Sequence, residues 1–207
     1  MAKHEKISEA VVRRLPIYLR YLSYLQQVGV ATVSSQQMGK NLDVNPAQIR
    51  KDLATFGDFG KKGIGYDVNY LVEKIRQILK LTDEIRVALV GAGHLGHAIS
   101  NYNAYLKDNM RIAAIFDCDP DKLGKHVAGI PIQPLGELAQ TIADQQIKLA
   151  IITVPAPAAQ SVCDQLTEAG IKGILNFAPT TIRAGKDVRI HYADVTSNLQ
   201  SLAYYLT

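Results

Sequence analysis

The sequence predicts an α/β chain in two parts: a helical, basic N-terminal part, then a doubly wound parallel-sheet domain closed by a C-terminal helix. Three observations predict this. An apolar run, Ile85 to Val90, leads into Gly91-Ala-Gly-His-Leu-Gly96 and then into a helix-like pattern. Strand and helix signals alternate from there onward, the mark of a parallel sheet with helical crossovers. The first eighty residues also differ in charge. Met1 to Lys80 hold thirteen Lys and Arg against seven Asp and Glu, and Leu81 to Thr207 hold ten against twelve, so the net +4 belongs to the front of the chain. Such asymmetry points to a polyanion as the partner of the first part.

The front part reads as helices followed by a hairpin. Val11, Leu15, Leu19, Leu22 and Leu25 recur at helical spacing, and Val28-Gly29 closes the run. Pro16 leaves two readings open: the helix starts near it, or an earlier segment kinks there. Ser34 with Gln37 three residues on has the spacing of a capping box and starts a second helix. Asn45-Pro46-Ala-Gln48 supplies a cap and a first-turn proline for a third helix through Ile49, Arg50, Lys51 and Leu53. Three such helices with cations on the last have helix-turn-helix grammar. Glycines at 57, 60, 63 and 65 then surround Lys61 and Lys62, which suits a tight ribbon with a cationic tip, a wing able to track a DNA minor groove.

Behind it, the glycine spacing at 91, 93 and 96 has the grammar of a dinucleotide-binding turn. The first glycine permits the turn, the second lets backbone approach a pyrophosphate, the third lets helix pack on strand, and the helix N-terminus favours the anion. Ile112-Ala-Ala-Ile-Phe116 ends in Asp117, about 20 residues past the last glycine, where a carboxylate can take ribose hydroxyls. Further buried-strand runs are Ile147 to Val154 and Gly173 to Phe177, with a helix closing at Leu166 to Gly170 between them. Val154 and Pro155 fall at a strand's carboxyl end, the side where open α/β sheets bind ligands, so the nicotinamide is expected near them.

Asp117, Asp119 and Asp121 crowd the ribose end with no arginine nearby, which favours NAD or NADH over their 2′-phosphorylated forms. An apolar nicotinamide pocket would favour the neutral reduced ring, because the oxidised ring's charge is costly to desolvate. Composition, 47% hydrophobic and 20% charged, is that of an ordinary globular protein. The N-terminus has no apolar signal core and no run reaches the roughly 18 apolar residues of a membrane span, so a cytoplasmic protein is expected. Cys118 and Cys163 form no metal or disulfide pattern; Cys118 adjoins Asp117, so its modification could disturb the adenosine pocket.

Taken in order, Arg14-Leu-Pro16, Ser34-Ser35, Gln48-Ile-Arg-Lys-Asp-Leu53, Phe56-Gly57, Phe59-Gly60, Gly63-Ile-Gly-Tyr66, the glycine loop and Asn176-Phe-Ala-Pro179 resemble the Rex-type redox-sensing transcriptional repressors over almost the whole chain. The resemblance implies a winged helix-turn-helix DNA-binding domain over 1–80, a Rossmann-like NAD(H)-binding domain over 81–195 and a dimerisation helix over 196–207, exchanged within a homodimer. It implies a repressor that binds palindromic operator DNA and leaves it when NADH binds, with no catalytic residue and no metal. It puts DNA contacts at Ser34, Ser35, Gln48, Arg50, Lys51, Lys61, Lys62, Gly63 and Tyr66. Cofactor contacts fall at Gly91, Ala92, Gly93, His94, Leu95, Gly96 and Asp117, joined by Val154 and Pro155. The resemblance also implies a polar trio, Arg20, Tyr102 and Asp194, that links the two domains and the partner subunit. His94 and Lys62 depart from the residues common at their positions.

Two alternatives stand beside this. A small NAD-dependent dehydrogenase shares the glycine loop, but about 125 residues leave no substrate domain and the basic front would have no purpose. Tyr70-Leu-Val-Glu-Lys74 has a reductase-like spacing, yet it precedes the glycine loop and reads as helix surface. A CoA- or adenylate-binding regulator keeps the fold and changes the ligand. At the C-terminus, Leu199, Leu202, Ala203 and Leu206 make one apolar stripe that can pack on its own chain or insert between subunits; the resemblance favours exchange.

Overall fold

The structure is a computed structural model describing residues 7–57, 59–61, 65–103 and 109–206. The chain divides into two compact units, Met1–Thr82 and Asp83–Thr207. In the first, α1 (Glu9–Gln27) begins at Ser8, whose side chain accepts from the Val11 N–H, so Pro16 lies inside one continuous helix rather than at its start. The ring sits on the exposed side while Leu15, Tyr18, Leu19 and Leu22 carry the buried stripe, which makes an internal proline tolerable. A short strand, β1 (Thr32–Val33), precedes α2 (Ser35–Leu42), and the Ser34–Gln37 capping box forms in both directions. Asp43 closes α2 in the left-handed region, and Asn45 caps α3 (Pro46–Ala54).

The ribbon β2 (Gly60–Lys61) and β3 (Gly65–Asp67) pairs antiparallel, with β3 central between β1 and β2. Next, α4 (Val68–Ile78), capped by Asp67, packs Val68, Leu71, Val72 and Ile75 into the same core as α1 and α3. Tyr70 and Lys74 stand on the outside of α4, with the ammonium over the ring at 5.5 Å, so their spacing is helix surface.

The second unit is a seven-stranded sheet in the order β10-β9-β8-β4-β5-β7-β6. Its strands are β4 (Ile85–Val90), β5 (Met110–Asp117), β6 (His126–Val127), β7 (Ile130–Pro134), β8 (Leu149–Ile152), β9 (Gly173–Asn176) and β10 (Arg189–Tyr192). All neighbours run parallel except the β6–β7 hairpin. Helices α5 (His94–Asn103), α6 (Leu138–Asp144), α7 (Ala156–Glu168) and α8 (Val195–Ala203) complete it. Alternate side chains of β4 and β5 serve opposite faces: Ala88, Val90, Ala114 and Phe116 join a core with α6 and α7, whereas Leu89 and Ile115 meet Ile99 of α5. Chain order reverses between β4 and β8, and at such a switch point strand ends splay apart into a crevice. Cys163 lies in the core, where burial pushes its thiol up, and Cys118 is exposed.

Candidate functional site

The crevice is a cavity of about 540 Å³ at the carboxyl ends of β4, β5, β8 and β9, with Val90, Gly91, Asp117, Thr153, Pro155 and Phe177 in its walls. The Gly91 N–H donates to the Phe116 carbonyl at 2.8 Å, and the Thr153 hydroxyl donates to the Val90 and Gly91 carbonyls at 3.1 and 2.8 Å. This clamps the turn between strand ends. Gly91 has φ +107°, and a Cβ there would press on the Thr153 backbone at 2.8 Å. A Cβ on Gly96 would overlap the Gly91 carbonyl oxygen. Those two glycines are demanded by the protein's own packing. Gly93 is different, since a Cβ there meets nothing within 4 Å. Its bareness serves no contact of the chain and leaves room for a group approaching the backbone. The Gly93 carbonyl accepts from the His97 N–H as α5 starts, and first-turn N–H groups, with no acceptor inside a helix, make the positive end an anion seat. These residues fit a pyrophosphate.

Asp117 stands buried at the end of β5. It accepts from the Ala92 N–H at 2.7 Å, the Asp119 N–H at 2.9 Å and the Lys122 ammonium at 3.1 Å. Burial pushes this carboxyl up, but those donors outweigh it and hold it below the usual range, so the acid stays ionised. Asp119 and Lys122 share the wall, whereas Asp121 is exposed and gives only its N–H, to Asp119 at 3.0 Å. The acidic crowding read from the sequence is therefore offset by one cation, Lys122, which the turn after Asp117 brings back to the carboxylate.

Leu135, Val154, Pro155, Ala158, Val162 and Phe177 give the rest of the cavity an apolar wall. The buried Asn176 amide donates to the Ala178 and Thr180 carbonyls and its oxygen accepts from the Ala178 N–H, holding the following loop open beside it. Leu95 lines the cavity; His94 is exposed on the first turn of α5; and the Ala92 N–H is engaged with Asp117.

In the first unit, α3 splits by face. Arg50 and Lys51 are exposed, while Ile49, Asp52 and Leu53 are buried. Arg50 donates to the Ser35 hydroxyl at 2.9 Å, so the first turn of α2 and the cationic face of α3 come together. Ser34 is half-buried as the cap of α2. Lys61 ends β2; Lys62 and Gly63 lie outside the described residues.

Two of the residues expected at the DNA have partners within the fold. Tyr66 is buried in the core with its ring against Gly60, because the alternation of β3 turns it inward. Gln48 turns its amide to Asp52 at 2.6 Å, one helical turn on. Asp52, which the sequence shows only as a member of the Gln48–Leu53 motif, has a role that the fold alone reveals. Its carboxylate accepts from the Arg14 guanidinium at 2.6 and 2.8 Å and from the Tyr18 hydroxyl at 2.7 Å, tying α3 to α1. The signal was an acid on the apolar stripe of α3, three residues after Ile49. Of the polar trio, Arg20 is exposed on α1, Tyr102 is 67% exposed on α5, and Asp194 accepts from the Ser197 N–H as the cap of α8.

No helix among the described residues is long and apolar enough to cross a membrane, and no group of three metal-ligating side chains is gathered among them. A family model described as a putative DNA-binding protein N-terminus matches residues 6–54, and one described as a CoA binding domain matches 82–180. The redox-sensing transcriptional repressor Rex of Brevibacillus brevis is 92% identical over 207 residues, all of both chains. That of Roseiflexus sp. is 47% identical over 206 residues, 100% of this chain and 94% of its own. The solved structure of RSP in complex with β-NAD+ and operator DNA superposes with a TM-score of 0.90 at 35% identity, covering 97% of this chain and 92% of that one. RSP with β-NADH gives 0.87 at 33%, covering 97% and 94%. Likeness of this extent decides between a regulator and the dehydrogenase alternative: the nucleotide fold here serves no enzyme, and the chain belongs to the Rex family of redox-sensing transcriptional repressors.

Proposed function

We propose that the chain works in the cytoplasm as a homodimer that binds palindromic operator DNA, takes NADH or NAD in its crevice, and leaves the operator when NADH is bound. The open side of Gly93, at the mouth of a crevice beside an ionised Asp117, is the observation that carries the cofactor half. The glycine loop and the first turn of α5 would seat the pyrophosphate, Asp117 the adenosine ribose, and the wall at Val154 and Pro155 the nicotinamide. Bound there, the cofactor supplies a ring that is charged when oxidised and neutral when reduced. The apolar wall favours the neutral form.

On the first unit, Arg50 and Lys51 would read the major groove, Ser34 and Ser35 contact phosphate, and the ribbon around Lys61 and Lys62 enter the minor groove. Exposed Leu199, Leu202 and Leu206 on and just past α8 support its exchange between protomers, with Arg20, Tyr102 and Asp194 linking domains and partner. The lever is rotation of one half-dimer against the other, which changes the spacing of the two recognition helices. A mobility shift on palindromic DNA at fixed salt tests the switch: NADH is expected to weaken operator binding roughly 5–150-fold and NAD far less. Unchanged affinity with NADH would overturn it, and competition of NADH by CoA would instead favour a CoA-type ligand.

The glycines separate fold from binding. Gly93→Ala is expected to leave the thermal unfolding midpoint in place and to cost roughly tenfold in NADH affinity, because its methyl fills only ligand space. Gly96→Ala is expected to destabilise the second unit by about 1–3 kcal/mol through overlap with the Gly91 carbonyl. Equal loss of stability in both variants, measured by thermal unfolding, contradicts this assignment.

A further inference from the structure

Lys122 is the cation on the ribose side of the crevice. Its ammonium lies 3.1 Å from one oxygen of Asp117 and 3.5 Å from one of Asp119, and its side chain is 35% exposed. A carboxylate offers about four acceptor sites, two on each oxygen. On Asp117, Oδ2 already takes two donors, Ala92 N–H and Lys122, and Oδ1 takes the Asp119 N–H. One acceptor site is left, enough for a single ribose hydroxyl. Asp119 is the outer partner, 43% exposed, with its other oxygen held by the Asp121 N–H. The wall therefore carries two carboxylates and one ammonium, and a phosphate arriving on the 2′-oxygen would meet a net negative charge.

Resting on the cofactor reading above, we propose that Lys122 is a latent receptor for a 2′-phosphate, held in check by its ion pairs with Asp117 and Asp119, and that the second carboxylate, Asp119, sets the choice of NAD(H) over NADP(H). The two carboxylates are not equivalent in this. Asp117 fastens the end of β5 to the glycine loop through Ala92, so its loss disturbs the site as a whole. Asp119 holds no strand, and its removal leaves Lys122 balanced by Asp117 alone on a wall of zero net charge. A lysine is a compact charge on a flexible four-carbon stem, so an ammonium left with one carboxylate can turn to a phosphate without rearrangement of the backbone.

The experiment uses the full chain and the fluorescence of the reduced nicotinamide to titrate NADH and NADPH separately. Asp119→Asn removes the charge and keeps an acceptor for the Asp121 N–H; Asp119→Ala is the second variant should the amide retain Lys122. The NADPH-to-NADH affinity ratio is expected to rise roughly tenfold in the charge-removed variant, the size of one added charge-assisted contact, and to shrink with salt. Adding Lys122→Ala to that variant is expected to cancel the gain. A ratio unmoved in both Asp119 variants, or a gain that survives the loss of Lys122, overturns the proposal. A wild-type chain that takes up neither reduced dinucleotide defeats the cofactor reading itself and this proposal with it. Wild-type affinity for NADPH equal to that for NADH defeats this proposal alone.

Discussion

Arg50→Ala combined with Lys51→Ala is expected to abolish specific operator binding while NADH affinity stays at its wild-type value. Both side chains are exposed on α3 of the first unit, and the crevice is built wholly from residues of the second. A side chain that reads a base edge contributes about 1–3 kcal/mol of discrimination, so losing two is a change of roughly a hundredfold or more. The single variants distinguish their roles. A base contact relaxes sequence preference, whereas a phosphate contact weakens binding to all sequences and lowers the salt slope by about one. Arg50 has a second duty, since its contact with the Ser35 hydroxyl joins α2 to α3. Arg50→Lys, which keeps charge but not the planar fork, is expected to recover only part of the affinity. Mobility shifts and fluorescence titration on the same preparation measure both properties. Operator binding left at the wild-type level in the double variant means that α3 does not face the DNA.

The second large effect falls on Asp52. Asp52→Ala leaves the Arg14 guanidinium, the Tyr18 hydroxyl and the Gln48 amide without their shared acceptor. Removing the buried partner of an ion pair costs about 3–5 kcal/mol when the other charge stays buried, and the low end applies here because the Arg14 side chain is 26% exposed and can be partly hydrated. Chemical denaturation should report the loss, and operator binding should fall with it, since the same carboxylate moors α3 to α1. Burial by itself pushes the Asp52 carboxyl up; Arg14, Tyr18 and Gln48 together outweigh it and bring it below its ordinary value. A folded-state value below the unfolded one stabilises the protein above the unfolded value, near pH 4, and the contribution disappears as pH falls through the folded value. Asp52→Asn is accordingly expected to flatten the stability profile in that acid window. A denaturation midpoint within experimental error of wild type in Asp52→Ala would show that the carboxylate is no anchor.

Features encoded over three or four neighbouring residues were legible without a structure. The capping box at Ser34, the Asn45-Pro46 start of α3, the glycine turn at 91–96 and the acid at the end of β5 depend on local spacing, and each forms where the spacing puts it. Two-residue strands such as β1 and β6 are too short for a period-two pattern to register, and only their pairing partners define them. Pro16 shows the same limit from the other side, since its local preference for a helix start yielded to the apolar stripe that runs through it.

By itself the sequence determined the two-part α/β architecture, the basic first part, the dinucleotide turn and, through the order of its motifs, the family. Tertiary structure alone decided how individual polar side chains are used. Tyr66 turned into the core and Gln48 toward Asp52; Asp52 found Arg14 38 positions away; and Lys122 folded back onto Asp117 through the turn at Pro120. The reason is physical: helix, cap and turn preferences act between near neighbours, whereas a buried charge takes whichever donors the packing of distant elements brings within about 3 Å.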